Sequence, residues 1–207
     1  MARATTQRSN DAPRDAVALL KQDHRAVEAL FEEFEDADES EQSSLATRIC
    51  HMLTVHTQIE EEILYPAAKE AFGEEEDEMV YEAEIEHGSA KELIAKIEAL
   101  TPEDPTFKPL VKVLGEYVKH HVKEEEKELF PSLKETELDL KEMGSQLGHR
   151  KFELMEQMGI EAEAAPAPKR KKSSGSRSTR TTAAKRSQAR AGSRSKSARG
   201  SASRARH

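Results

Sequence analysis

Two stretches of this chain repeat one pattern: HTQIEEEILYP from His56 to Pro66, and HVKEEEKELFP from His121 to Pro131. In each copy a Glu follows the His by four residues, and a Pro follows that Glu by six. A His and a Glu four apart sit one turn from each other on a single helix face. A further His precedes each copy by a similar interval, His24 by 32 residues and His87 by 34. A fold that accommodates this repeat must bring together two similar helix pairs.

Apolar spacing directs these groups inward. His24 shares a stripe with Leu20 and Val27, His56 with Met52 and Ile59, His87 with Ala83 and Ala90, and His121 with Tyr117 and Val118. Each helix thus aims a His at the core, and two also aim a Glu, Glu60 and Glu125. Taken singly, such a His is ordinarily a hydrogen-bonded core residue, and a His-x-x-x-Glu pair in a Glu-rich helix is ordinarily a solvated ion pair. Matched offsets in both copies argue otherwise, because a core of four imidazoles and two carboxylates is costly unless the groups are paired or bind metal. The repeat predicts two half-sites, His24, His56 and Glu60 facing His87, His121 and Glu125 across a pseudo-two-fold axis. That donor set, free of thiolate, suits first-row divalent metals; its open positions suit non-haem iron, and two ions sharing carboxylates in a bundle point to di-iron or di-manganese ahead of zinc. A ferritin-type pairing of Glu-x-x-His motifs does not fit, since only EIEH at Glu84 to His87 matches it.

The other histidines fit less well. His51 precedes His56 by five residues and should point away from it, His120 would pair with Glu124 and break the shared offset to Pro, and His149 suits a surface role.

The remaining pattern predicts an all-α, antiparallel up-down four-helix bundle. Helices are expected over residues 16–37, 42–64, 75–100 and 107–129, the first capped by Asp15. Pro66 and Pro131 should interrupt the second and fourth helices, with a short extension from Pro66 to Gly73. A possible fifth helix over 138–158 contains two Gly, which lowers its helix propensity. Cys50 cannot form an internal disulfide and is expected to be a small core residue.

Helices bearing DH (Asp23, His24), HTQIEEEILYP, EH (Glu86, His87) and HVKEEEKELFP resemble the hemerythrin family and its HHE cation-binding domains. The resemblance covers residues 15–158 and implies a bundle holding a non-haem di-iron centre. His24, His56, His87 and His121 would then be terminal ligands, with Glu60 and Glu125 bridging the ions. It also implies a small ligand such as dioxygen, peroxide or nitric oxide, or a role in sensing iron. Oxygen carriers of that family have a second His one turn along the third helix, where this chain has Ala83 before and Lys91 after His87. They also carry an Asp five residues after the fourth-helix His, where this chain has Glu126. These departures favour iron binding, redox sensing or peroxide chemistry over reversible oxygen carriage.

Charge divides the chain. All 40 acidic residues fall at or before Glu163 with 18 of the 32 Lys and Arg, about −22, while the other 14 Lys and Arg lie from Pro166 onward. Residues 159–207 should form a disordered basic tail, as residues 1–14 should form a flexible N-terminus. The tail, with Lys169, Arg170, Lys171 and Lys172, fits sequence-neutral duplex DNA, since it offers phosphate contacts and no aromatic residue for stacking on single strands. No stretch is apolar enough for a membrane span or a secretory signal, so a cytoplasmic, nucleoid-associated protein is expected. The alternative is a DNA-associated structural protein whose bundle is metal-free or binds zinc.

Overall fold

Asp15 starts the first helix: its carboxylate accepts the Ala18 amide at 2.8 Å and satisfies one of the unpaired donors of the first turn. In the computed structural model, residues 15–73 and 78–160 are described; the expected N-terminal arm and the basic tail with Lys169 to Lys172 lie outside them. Every regular element among the described residues is helical. Four long helices, α1 (Ala16–Asp36), α2 (Glu39–Ile59), α4 (Glu78–Glu98) and α5 (Phe107–Glu124), make the bundle. Short helices α3 (Tyr65–Phe72) and α6 (Phe130–Glu135) extend α2 and α5. Contacts run from α1 to α2, α2 to α4, α4 to α5 and α5 back to α1, which closes the ring.

Pro66 and Pro131 do not interrupt their helices. Before each, the backbone widens into one π-helical turn, Glu60–Leu64 and Glu125–Leu129. The Tyr65 amide donates to the Glu60 carbonyl and the Phe130 amide to the Glu125 carbonyl, each five residues back. In an unbroken α-helix a Pro ring presses on the carbonyl four residues back and removes a ladder donor. The wide turn resets the ladder, so each Pro falls in the first turn of the next helix, where a missing donor costs little. The chain stays right-handed helical throughout, at φ −65° and ψ −41° for Tyr65 and φ −68° and ψ −36° for Phe130.

The fifth helix, α7 (Leu140–Gln157), forms despite its glycines and packs on α1 and α2. A Cβ on Gly144 would lie 2.6 Å from the Asp15 carbonyl carbon and 2.7 Å from the Ala16 nitrogen. The residue that weakens the helix in isolation is therefore what lets it approach the start of α1. Arg150 ties α7 to the first π turn through Glu62, at 2.6 and 3.1 Å.

Two apolar clusters fill the bundle. One holds Leu20, Ile59, Tyr65, Phe130 and Leu147; the other holds Leu30, Ile49, Phe107 and Leu114. Along α1 the first cluster ends at Leu20 and the second begins at Val27, with His24 between them; along α4, His87 separates Ala83 from Ala90 in the same way. A layer of imidazoles and carboxylates thus divides the core. Cys50 is a buried member of the second cluster, where desolvation pushes its thiol up to about 12.

Candidate metal centre

All six residues singled out from the repeat converge in that layer: His24, His56, Glu60, His87, His121 and Glu125 are buried, Glu60 at 0 % exposure. Each imidazole turns its Nε2 inward. His24 Nε2 lies 3.2 Å from Glu125 Oε2, and His56 Nε2 lies 3.2 Å from Glu60 Oε2. His87 Nε2 lies 3.5 Å from Glu60 Oε2 and 3.1 Å from His121 Nε2, which is 3.6 Å from Glu125 Oε2. Two overlapping donor groups result, His24, His56, Glu60 and Glu125, and Glu60, His87 and His121, each with its atoms within 4.8 Å of one another. Glu60 belongs to both.

Each Nδ1 faces outward to a carboxylate on another helix. His24 Nδ1 meets Glu126 at 3.1 Å, His87 Nδ1 meets Glu61 at 3.1 Å, and His121 Nδ1 meets Glu86 at 2.8 Å. Asp23 approaches His56 Nδ1 at 3.8 Å, an ion-pair distance beyond a hydrogen bond. The arrangement is two-fold: the acid before each lone His (Asp23, Glu86) serves the His of a repeated segment. The acid after each core Glu (Glu61, Glu126) serves a lone His. Such outer carboxylates set the tautomer and raise the basicity of an imidazole ligand, leaving Nε2 free to bind metal.

Five of the inner atoms lack a hydrogen-bond partner among the described residues. His24 Nε2, His56 Nε2, both Glu60 oxygens and Glu125 Oε2 are buried without an aligned hydrogen bond. Leaving one such group unsatisfied ordinarily costs about 1–3 kcal/mol, more if charged, so their convergence fits a cation between them. The titrations express the same crowding. Burial, reinforced by the neighbouring Glu125 and Asp23 charges, holds the Glu60 carboxyl well above its usual range. Burial would raise Glu125 too, but the His121 and His24 rings outweigh it and hold Glu125 low. Desolvation depresses His56 to about 4 and also lowers His87, whereas Glu125 and Glu86 more than offset burial at His121 and raise it. Glu61 falls to about 2 through its His87 contact and Lys91.

Tyr65 completes the layer and was not among the residues expected there. Its hydroxyl donates to Glu125 Oε1 at 3.0 Å and lies 3.1 Å from His87 Nε2. The signal was the aromatic residue five beyond the core Glu in both copies. A cavity of about 850 Å³ reaches the centre, lined by the four core imidazoles, Glu86 and apolar residues such as Val27, Leu30 and Val118. His51 also lines this cavity. His120 and His149 are mostly exposed and pair with Glu124 and Glu153 at 3.1 and 3.4 Å.

Comparison with known proteins identifies the family and the fold. A family model for hemerythrin HHE cation-binding domains matches residues 15–133. A Nostoc protein described as a DNA nickase is 31 % identical over 132 residues, which is 63 % of this chain and 37 % of that protein. A hemerythrin-like protein of Schizosaccharomyces pombe is 27 % identical over 117 residues, 56 % of this chain and 57 % of that one. The chain therefore spans less than two thirds of either relative's length. The crystal structure of an HHE cation-binding-domain protein from Mycobacterium kansasii shares the fold, with a TM-score of 0.61 at 20 % identity over 69 % of this chain and 88 % of that chain.

Proposed function

The chain belongs to the hemerythrin HHE cation-binding family, and from that premise we propose that its bundle holds two non-haem iron ions that react with a small oxygen ligand. His24, His56, His87 and His121, with Glu60 and Glu125, are the residues that would hold them. The observation that carries this reading is the orientation of the imidazoles: four Nδ1 atoms face outer carboxylates and four Nε2 atoms face unpartnered buried oxygens. Loaded, the centre would supply redox and Lewis-acid chemistry toward dioxygen, peroxide or nitric oxide.

The chain's own residues support the chemistry in separate ways. Apolar clusters pack on both sides of the layer and line much of the cavity that reaches it. Tyr65 presents a hydroxyl at the centre as hydrogen-bond donor. Glu126, where oxygen carriers have a ligand Asp, turns outward to His24, and Lys91, where they have a second His, binds Glu61. These two substitutions leave a carboxylate-rich donor set, which favours iron or peroxide chemistry over reversible oxygen carriage.

Metal analysis and an absorption spectrum of aerobically purified protein test this reading. Two irons per chain with ferric charge-transfer bands are expected; absence of both overturns it. His56→Ala combined with His121→Ala should abolish iron binding, while His149→Ala should leave it intact. The Lys/Arg-rich segment and the Nostoc relative's description as a DNA nickase together support DNA as a partner, held through phosphate contacts.

A further inference from the structure

Among the described residues, three of the four outer carboxylates are matched by a Lys or Arg. Asp23 binds Lys151, Glu61 binds Lys91 at 2.6 Å, and Glu126 binds Arg25 at 2.8 Å with Lys21 at 3.4 Å. Glu86 differs. Its Oε2 meets His121 Nδ1 at 2.8 Å, while its Oε1 points outward to His120 Nε2 at 3.8 Å. His120 Nε2 in turn lies 3.1 Å from Glu124 Oε1. The three donor atoms fall within 4.8 Å of one another.

The sequence explains how this cluster arises. HHVKEEE contains two interleaved His-x-x-x-Glu frames, His121 with Glu125 turned inward and His120 with Glu124 turned outward. In the first copy of the repeat the positions matching His120 and Glu124 are Val55 and Ile59, both buried. The outer pair is thus particular to the second copy.

We propose that Glu86, His120 and Glu124 form a third, solvent-facing divalent-cation site that captures a metal ion and passes it to the buried centre. Two carboxylates and a neutral imidazole place two negative charges around one point, with positions left open to water, which suits Mn²⁺, Fe²⁺ or Zn²⁺. The His120 and Glu124 side chains, 56 % and 33 % exposed, are reached from solvent, whereas that of Glu86 is 11 % exposed. Glu86 is shared between the sites: one oxygen faces the outer cluster, the other holds an imidazole of the centre, and the residue lines the cavity leading to the core histidines. The feeding role rests on the reading that the buried centre binds metal; the existence of the outer site does not.

The test uses the full metal-free chain and the double variant His120→Ala/Glu124→Gln, neither residue belonging to the centre. Bound Mn²⁺ is measured by equilibrium dialysis and by loss of the free-ion paramagnetic resonance signal. The wild type should bind one equivalent more than the variant, and the variant should load Fe²⁺ anaerobically at least about tenfold more slowly. Equal Mn²⁺ equivalents overturn the site, and a lost equivalent with an unchanged loading rate overturns the feeding role. His24→Ala/His56→Ala, at residues other than the two histidines that pair with Glu86, should keep the outer equivalent. If that variant loses no Mn²⁺ while His120→Ala/Glu124→Gln loses one, the outer site stands and the buried-centre reading fails.

Discussion

Tyr65 and Phe130 occupy the same position in the two copies of the repeated segment, and only the tyrosine bonds into the centre. Its hydroxyl donates to Glu125 at 3.0 Å, whereas the Phe130 ring stacks on His24 at 5.8 Å between centroids and 6° between planes. The two-fold pattern of imidazoles, core carboxylates and outer carboxylates therefore does not extend to this aromatic position. Tyr65→Phe removes one donor from a buried carboxylate and should destabilise the metal-free chain by about 1–3 kcal/mol. Metal equivalents should be unchanged while the visible spectrum of the iron-loaded protein shifts. An unshifted spectrum would show that the hydroxyl does not influence the metals.

The outer carboxylates should control affinity without touching metal. Glu61→Gln and Glu126→Gln keep the volume but remove the charge that holds His87 and His24 in register. Each should weaken metal binding by about 10–100-fold, measured by competition with a chelator. Glu62→Gln is the control, because Glu62 binds Arg150 and no imidazole; its affinity should match the wild type.

The two glycines of α7 should respond in opposite directions to the same change. Alanine raises helix propensity at either site by about 1 kcal/mol. At Gly148 the new methyl would meet Leu19 Cδ1 at an ordinary 3.5 Å, so the melting temperature should hold or rise. At Gly144 it would stand 2.6 Å from backbone that cannot swing aside, and α7 must shift off α1. Gly144→Ala should cost about 1–3 kcal/mol, and a rise in melting temperature would refute the close approach.

The helices and the six core donors were legible because they depend on spacing within one helix. Asp15, Gly73 and the three-and-four apolar period are local signals, and the structure has a helix at each. The two prolines were misread for the same reason: a breaker is local, but the π turns that absorb Pro66 and Pro131 depend on the bundle holding both helix halves in line. Asp23, Glu61, Glu86 and Glu126 were visible as acids beside the motif residues, yet each acts on a ring from a different helix. Periodicity along one helix says nothing about reach across to another. Gly144 likewise reads as a helix breaker until the neighbouring α1 is in place.

Cys50 offers a pH test away from the centre. Burial pushes its thiol up to about 12 from an ordinary value of 9.0. A raised pKa means the folded state keeps its proton where the unfolded state has lost it. The stabilisation is therefore complete below pH 9.0 and is lost as pH rises toward about 12. Only the thiolate is nucleophilic, so alkylation by iodoacetamide at pH 8 should run about 10³-fold slower than for a free thiol and reach the ordinary rate in denaturant. Rapid labelling of the folded chain would contradict the burial.

DNA binding should reside in the basic segment. The sequence carries 14 Lys and Arg from Pro166 onward and a net charge of about −22 before it, so the basic segment is expected to supply the attraction for phosphate. Each neutralised phosphate releases counterion and adds about 0.9 to the slope of log affinity against log salt. Deleting residues 166–207 should abolish salt-sensitive binding to duplex DNA, and replacing Lys169, Arg170, Lys171 and Lys172 together by Ala should reduce the slope by about 3–4. Duplexes of unrelated sequence should bind alike, because the segment offers phosphate contacts and no base readout. Titration by fluorescence anisotropy at several salt concentrations measures both effects. Salt-sensitive affinity that survives the deletion would move the DNA contact onto the bundle and overturn the assignment.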